Sequence, residues 1–285
     1  MLNINSNRLH FFWRVQISNT FTNILASTIS LLTNIQRPER AERNRLLLRD
    51  RLTERHSIET KRGQILLVCN NRREVHYAHH FLDREPSAIK WIDSFEGPCT
   101  FWDVGANTGI YSLYAALRKD VSVYAYEPGA MSHAALYTNI HANSLDEQIV
   151  GLCMGFFNKS KLEKLHMSSV EAGAAMHDFG DLALTSETNN LNRHLETVLT
   201  FSIDDFRRIY QLPPPTYLKI DVDGVEEEIL HGATDTLNDK DVHSVLIEMI
   251  DRHSTRNERM VEFLESHSFR VRPELSEDEN VIFSR

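Results

Sequence analysis

The stretch FWDVGANTGIYSLYAA, residues 101–116, passes from a short apolar run through Asp103 into a Gly-Ala-Asn-Thr-Gly turn and then into a run of helix formers. Thr100 to Val104 is apolar and bounded by glycine, which predicts a buried strand, and Tyr111 to Leu117 has helical composition. The turn therefore joins strand to helix. Gly105 and Gly109 are expected to leave room for a ligand against the backbone, and the helix start offers unpaired N–H groups to a carboxylate or phosphate. A dinucleotide fingerprint begun at Gly105 needs glycines at 107 and 110, where Asn107 and Ile110 stand. That argues against a pyrophosphate.

Outward from the turn, the chain has 285 residues and 41% hydrophobic composition, enough for one large core. The simplest organisation is an N-terminal helical, basic extension over residues 1–62 followed by one α/β domain over 63–285. Residues 1–62 hold 11 Lys and Arg against 5 acids, whereas the remainder holds 20 against 35, within a net charge of −9. An acidic body disfavours nucleic acid as a partner and suits a cationic ligand. Phe21, Ile24, Leu25, Thr28, Leu32 and Ile35 recur at helical spacing, so an amphipathic helix is expected there, packed on the body, on a second subunit as an oligomer, or on a membrane surface. Arg37 to Arg55 interleaves acids with arginines and reads as a solvated helix. Val15 to Ile35 is about half polar, too polar for a transmembrane segment. With no secretory cleavage pattern and with Cys69, Cys99 and Cys153 isolated, the expectation is a reducing cytoplasm, no disulfide framework and no zinc site.

Past residue 63, strands and helices alternate. VSVYAYEP (121–128) reads as the second strand of a parallel sheet and ends in Glu127, about 20 residues after the glycine turn, where an acid can accept hydrogen bonds from ribose hydroxyls. A helix from Met131 to Asn143 follows, then QIVGLCMGF (148–156), TYLKIDVDG (216–224) and VHSVLIEMI (242–250) as the third, fourth and fifth strands. FRVRP and NVIFSR, joined by the short charged link ELSEDE, are spaced as a hairpin, so the last strand is expected to be antiparallel.

DVGANTG, YEP followed by Asn139 and Asn143, SIDDF, YLKIDVDGVEEEILHGA and LIEM together resemble the FkbM-type methyltransferases, and REPSAIKWIDSF is similar to that family's entry segment. The resemblance implies a Rossmann-like, seven-stranded class I methyltransferase sheet in the order 3-2-1-4-5-7-6, with S-adenosylmethionine across the carboxyl ends of its first strands. It further implies that Asp103 and Gly105 line the methionine side, that Ala106, Asn107, Thr108 and Gly109 form the turn, and that Glu127 holds the ribose. The acceptors it implies are hydroxyls of a sugar, a surface polysaccharide or another glycan, or of a small-molecule secondary metabolite.

Transfer to a hydroxyl calls for an acceptor held in line and a base near it. Lys219 and Asp221 are two apart and share a strand face, while Asp221 and Asp223 flank the strand's carboxyl end, where open α/β sheets bind ligands. Asp221 is the expected residue facing both methyl donor and acceptor, unless it only pairs with Lys219. The family pattern carries Glu where Asp223 stands. Glu248, ending the fifth strand, is expected to meet the substrate or to pair with Arg252. Two other classes stay open: a nicotinamide-dependent oxidoreductase, which shares the strand-turn-helix and Glu127, and an inactive binding protein on the methyltransferase fold.

His76, His79 and His80 have spacings that place a metal on one helix face, but no acid or cysteine joins them, so no metal is expected. Glu226 reads as a favourable charge at a helix start, and Ser202 with Asp205 as a capping box. The long connection 156–203 contains the segment Ser168 to Asn192, expected to shape the acceptor pocket.

Overall fold

The computed structural model describes residues 6–174, 178–179, 194–249, 254–277 and 279–285. The chain divides into two compact units, Met1–Glu54 and Arg55–Arg285. The first holds α1 (Ser6–Asn34) and α2 (Pro38–Leu52). Pro38 starts α2 with its φ already helical, and Arg45 and Asn44 reach back to Thr33, Asn34 and Gln36 to fix the turn. The apolar side chains Phe21, Ile24, Leu32 and Ile35 are exposed within this unit. No helix among the described residues is long and apolar enough to cross a membrane.

The division falls earlier than the residue 62 boundary read from composition. Strand β1 (Glu54–Thr60) pairs with β2 (Gly63–Cys69), so the basic residues Arg55, Lys61 and Arg62 belong to the second unit. Hydrogen-bond pairing outranks charge there. Next come α3 (Arg72–Arg84), opened by a capping box between Asn71 and Glu74, and α4 (Pro86–Asp93). The main sheet takes β3 (Cys99–Val104), β4 (Val121–Tyr126) and β5 (Ile149–Leu152), with α5 (Ile110–Ala116) and α6 (Ala130–Ala142) between them. Strand β6 (Gly155–Phe156), β7 (Lys161–Met167), β8 (Asp178–Phe179) and β9 (His194–Phe201) form a second sheet in the order β6-β9-β7-β8. The run 148–156 is thus two strands in different sheets, because the chain turns away from β4 after Leu152.

Helix α7 (Ile203–Tyr210) leads to β10 (Tyr217–Ile220), and α8 (Glu226–His231) with α9 (Thr234–Asn238) leads to β11 (Ser244–Glu248). Then α10 (Thr255–Ser266), β12 (Arg270–Val271) and β13 (Asn280–Ser284) complete the chain. The seven-stranded sheet runs β5-β4-β3-β10-β11-β13-β12, which, counting its strands along the chain, is 3-2-1-4-5-7-6. All pairings are parallel except those of β13, antiparallel to both β11 and β12.

Strand alternation divides the core into two layers. Phe101, Tyr217 and Leu246 pack with Trp91, Phe81 and Leu113 on one face, while Trp102, Leu218, Val245 and Phe283 pack with Phe156, Phe206 and Ile229 on the other. Asp103 and Lys219 fall on the first face and stand directly opposite each other in the β3–β10 register. Asn139 and Asn143 of α6 act as side-chain extensions of a strand edge: Asn139 Oδ1 accepts from Val68 N at 2.9 Å and Asn143 Oδ1 from Leu66 N at 2.8 Å, and Asn139 also donates to Thr108 O. Both asparagines tie β2 to α6, and Asn139 ties it to the glycine turn as well.

Candidate active site

The turn after β3 is built by close approach of backbone. Gly105 has φ +84°, and a Cβ there would lie 1.9 Å from the Asp221 carbonyl oxygen. Gly109, at φ +85°, would put a Cβ 2.2 Å from Leu136 Cδ1 of α6. The glycines therefore make room for the chain that follows β10 and for α6. Asn107 occupies the left-handed region at φ 51°, which Asn tolerates better than most residues. The N–H groups of Gly105 and Ala106 both bond to Tyr126 O, and that of Asn107 bonds to Glu127 Oε2 at 2.9 Å.

Above this turn lies a cleft of about 700 Å³, open to solvent, at the carboxyl ends of β3, β10 and β11. Gly105, Ala106, Asn107, Thr108, Lys219, Asp221, Asp223 and Glu248 line it, so eight of the residues singled out from sequence converge there. Its remaining wall is Tyr77, Phe81, Arg84 and Glu85 from the end of α3, with Ile110 and Tyr111 of α5. Sequence reading missed this wall. The available signal was the charged pair Arg84-Glu85 just before Pro86, a helix-starting proline that forces a bend between two helices and leaves the pair at the joint.

Lys219 is 1% exposed, with its Nζ 2.5 Å from Asp221 Oδ2, 3.6 Å from Asp103 Oδ1 and 5.1 Å from the Tyr111 ring centroid. Burial works against its charge, but Asp221, Asp103 and Glu85 outweigh it and raise the ammonium above its ordinary value. Asp103 is fully enclosed, accepts from Ser112 Oγ at 2.6 Å, and lies beneath the cleft's lining; its contacts are those of a strut for Lys219 and α5. Asp221 is the outer member of the pair, with its side chain 23% exposed.

Glu85 faces the same ammonium across the cleft, held by Asn280 Nδ2 at 3.4 Å, Arg84 Nε at 3.3 Å and the Tyr111 hydroxyl. Burial and the neighbouring Asp221 raise its carboxyl. Glu248 is pushed further, to about 9, by burial first and then by Asp221, with Lys219 opposing. At neutral pH Glu248 therefore holds its proton and is a hydrogen-bond donor, not a base. Arg252, its alternative partner from sequence, lies outside the described residues.

Glu127 ends β4 as expected but does not line the cleft. It is 5% exposed, accepts from Gly129 N and Asn107 N, and is raised by burial to about 7. The stretch Glu171–Ala174 lies over this side of the turn: Asn71 donates to Ala172 O, Asn107 Nδ2 to Ala174 O, and Gly173 N to Ser132 Oγ. That is the start of the expected acceptor-pocket segment; its residues 175–177 and 180–192 lie outside the described residues.

Several secondary signals are structural. Glu226 is buried, pairs with Arg256 of α10 and accepts from Gly224 N, so it joins two helices besides starting one. Ser202 caps α7 by accepting from Asp205 N, and Asp204 caps α9 through Asp235 N and Thr236 N. His79 packs its ring 4.3 Å from that of His56, and His76 packs on His80. No group of three or more His, Cys, Asp or Glu among the described residues is placed to hold a metal ion.

The donor set fits a ligand that carries positive groups together with one negative group. Among the described residues, four carboxyl groups meet two cations along the cleft, and Asn107 Oδ1 is buried beside the turn without a hydrogen-bond partner. S-adenosylmethionine, with a sulfonium, an α-ammonium and an α-carboxylate, has that character, whereas a pyrophosphate would meet repulsion.

Among solved structures, the chain is similar to the methyltransferase FkbM of Methylobacillus flagellatus KT, at 13% identity and a TM-score of 0.48 over 75% of this chain and 55% of that one. It is also similar to a SAM-dependent methyltransferase of Agrobacterium tumefaciens, at 11% identity and a TM-score of 0.44 over 81% and 70%. A curated relative, the hexuronic acid methyltransferase AglP of Haloferax volcanii, is 25% identical over 158 residues, which are 55% of this chain. The match spans 59% of that relative's length. The family model for the methyltransferase FkbM domain matches residues 103–271, from the enclosed Asp103 of β3 to the end of β12, and the chain belongs to that family.

Proposed function

We propose that this protein is an S-adenosylmethionine-dependent O-methyltransferase acting on a hydroxyl of a sugar or glycan, with a hydroxylated secondary metabolite as the other acceptor class. The observation that carries the reading is the cleft itself, where the glycine turn and the Lys219–Asp221 pair share one space at the strand ends. Family membership supports methyl transfer, and the sugar named for AglP supports a sugar acceptor.

In this reading Gly105 to Thr108 and Asp221 bind the cofactor, with Glu127 taking the ribose hydroxyls from the far side of the turn. Bound there, S-adenosylmethionine supplies a methyl group on a positively charged sulfur. Lys219 holds Asp221 Oδ2, leaving Oδ1 to accept the proton of an acceptor hydroxyl. Asp103 fixes Lys219 from below, so the base is oriented by a buried ion pair and not by solvent. Glu248, which keeps its proton, and Asp223 offer further hydrogen bonds to the acceptor. Tyr77, Phe81 and Tyr111 give the cleft an apolar wall that excludes water.

Transfer of labelled methyl from S-adenosylmethionine to hexose-containing glycans tests the reading. No transfer combined with no cofactor binding would defeat it, cofactor binding without any transfer would favour an inactive binding protein, and fluorescence quenching of a reduced nicotinamide would favour an oxidoreductase.

A further inference from the structure

The cleft is charged asymmetrically. Lys219 is closed to ligands because it is buried and already faces Asp221, Asp103 and the Tyr111 ring. Of the described residues lining the cleft, that leaves Arg84 as the cation able to receive an anionic group. Its guanidinium carbon lies over the Tyr77 ring, 4.4 Å from the centroid, with the side chain 41% exposed. Glu85 pairs with it at Nε, at 3.3 Å, and its terminal nitrogens make no hydrogen bond to a described residue. Stacking on Tyr77 and the bond to Glu85 hold the plane of the fork while leaving its outer edge open. Glu85, Asp221 and Asp223 line the same cleft and suit positive groups.

Resting on the reading of this cleft as an S-adenosylmethionine site, the geometry points to Arg84 as the residue that binds the cofactor's α-carboxylate, in a bidentate contact from the end of α3. The sulfonium and α-ammonium then face the acids, and the one negative group of the cofactor faces the one open cation. A guanidinium suits this task better than an ammonium, because its two parallel N–H groups match the two carboxylate oxygens. The assignment makes the Arg84-Glu85 joint a reader of the amino-acid end, distinct from the glycine turn and from Glu127.

The test compares ligands that differ only at that end, measured by calorimetry on the full chain. S-adenosylmethionine, its decarboxylated form and 5′-methylthioadenosine are titrated into wild type, Arg84→Gln and Arg84→Lys. Wild type should bind the cofactor about 10-fold or more tighter than the decarboxylated form, the scale of a charge-assisted contact. Arg84→Gln should abolish that difference and leave methylthioadenosine binding unchanged, which also shows that the site is folded. Arg84→Lys should recover part of it. Equal affinity of wild type and Arg84→Gln for the cofactor overturns the assignment, as does equal weakening of all three ligands. If Arg84→Gln instead raises KM for the acceptor alone, the guanidinium serves the acceptor and the assignment fails. Absence of cofactor binding by wild type would sink the functional reading itself, a result separable from any effect of Arg84.

Discussion

The two sides of the cleft are made in different ways. On one side, Gly105 to Gly109 is a contiguous segment whose shape comes from backbone: two left-handed glycines, a left-handed Asn107 and N–H groups aimed at Tyr126 O and Glu127. On the other, Glu85, Tyr111, Lys219 with Asp221, and Glu248 come from four separate segments and form a side-chain network around one buried ammonium. The first side tolerates almost no added atom. The second tolerates isosteric change but not loss of charge balance. The comparison teaches that the turn governs whether the fold closes, while the network governs the chemistry the cleft can support.

The strongest way to break this comparison is at Gly105. Gly105→Ala should lower the unfolding temperature by roughly 10 °C or more, since the left-handed backbone and the collision with a carbonyl each cost on the order of 1–3 kcal/mol. Gly109→Ala should cost less, because Leu136 Cδ1 is the end of a side chain that can turn aside. Thermal melts of both variants decide it, and equal stability of Gly105→Ala and wild type would contradict the packing role.

Next in size is Asp221→Asn. It should keep the fold and most cofactor affinity while lowering single-turnover rate by roughly 100-fold, the scale of positioned acid–base help. If the pair with Lys219 is only structural, the buried ammonium loses its nearest carboxylate and the loss appears in melting temperature instead. Glu127→Ala should weaken cofactor binding by about 10-fold, measured by calorimetry, with little change in rate at saturation.

The smallest effect sharpens the electrostatic side. The Glu248 carboxyl stands at about 9 in the folded chain against 4.5 when free, so the folded state retains its proton as pH rises through that window and loses stability there. Glu127, at about 7, adds the same sign of loss over the lower part of the window. Glu248→Gln cannot ionise, and its melting temperature should fall less steeply than wild type between pH 5 and pH 9, by a few degrees at the alkaline end. Parallel curves would remove Glu248 from the network.

Legibility in the sequence followed the same division. Residues 99–116 carry strand, turn and helix within one window, and the parallel strands are short apolar runs, so the strands and the antiparallel last strand could be expected before any coordinates, while the sheet order was implied only by the resemblance to the FkbM-type methyltransferases. The run 148–156 could not be divided from pattern alone, because its two strands share one largely apolar run and only pairing partners separate them. Glu127 was legible as the acid ending β4, but not that two backbone N–H groups and the Glu171–Ala174 stretch would enclose it. Arg84 and Glu85 sat in a segment read only as an entry to the domain, since nothing local says which strand ends they face.

By itself, then, the sequence determined the elements whose causes are local: alternation for the strands, glycines for the turn, Asn71, Ser202 and Pro38 for helix starts. It also determined the residue types available at the strand ends, because a strand's carboxyl end is a position along the chain. Tertiary structure alone decided what those residues do to one another. That Gly105 yields to the Asp221 carbonyl, that Asp103 becomes a strut and Asp221 the accessible acid, and that Glu248 keeps its proton all depend on distances of a few ångströms between segments over 20 to 160 residues apart. Charge and packing interactions fall off with separation in space and are blind to separation along the chain.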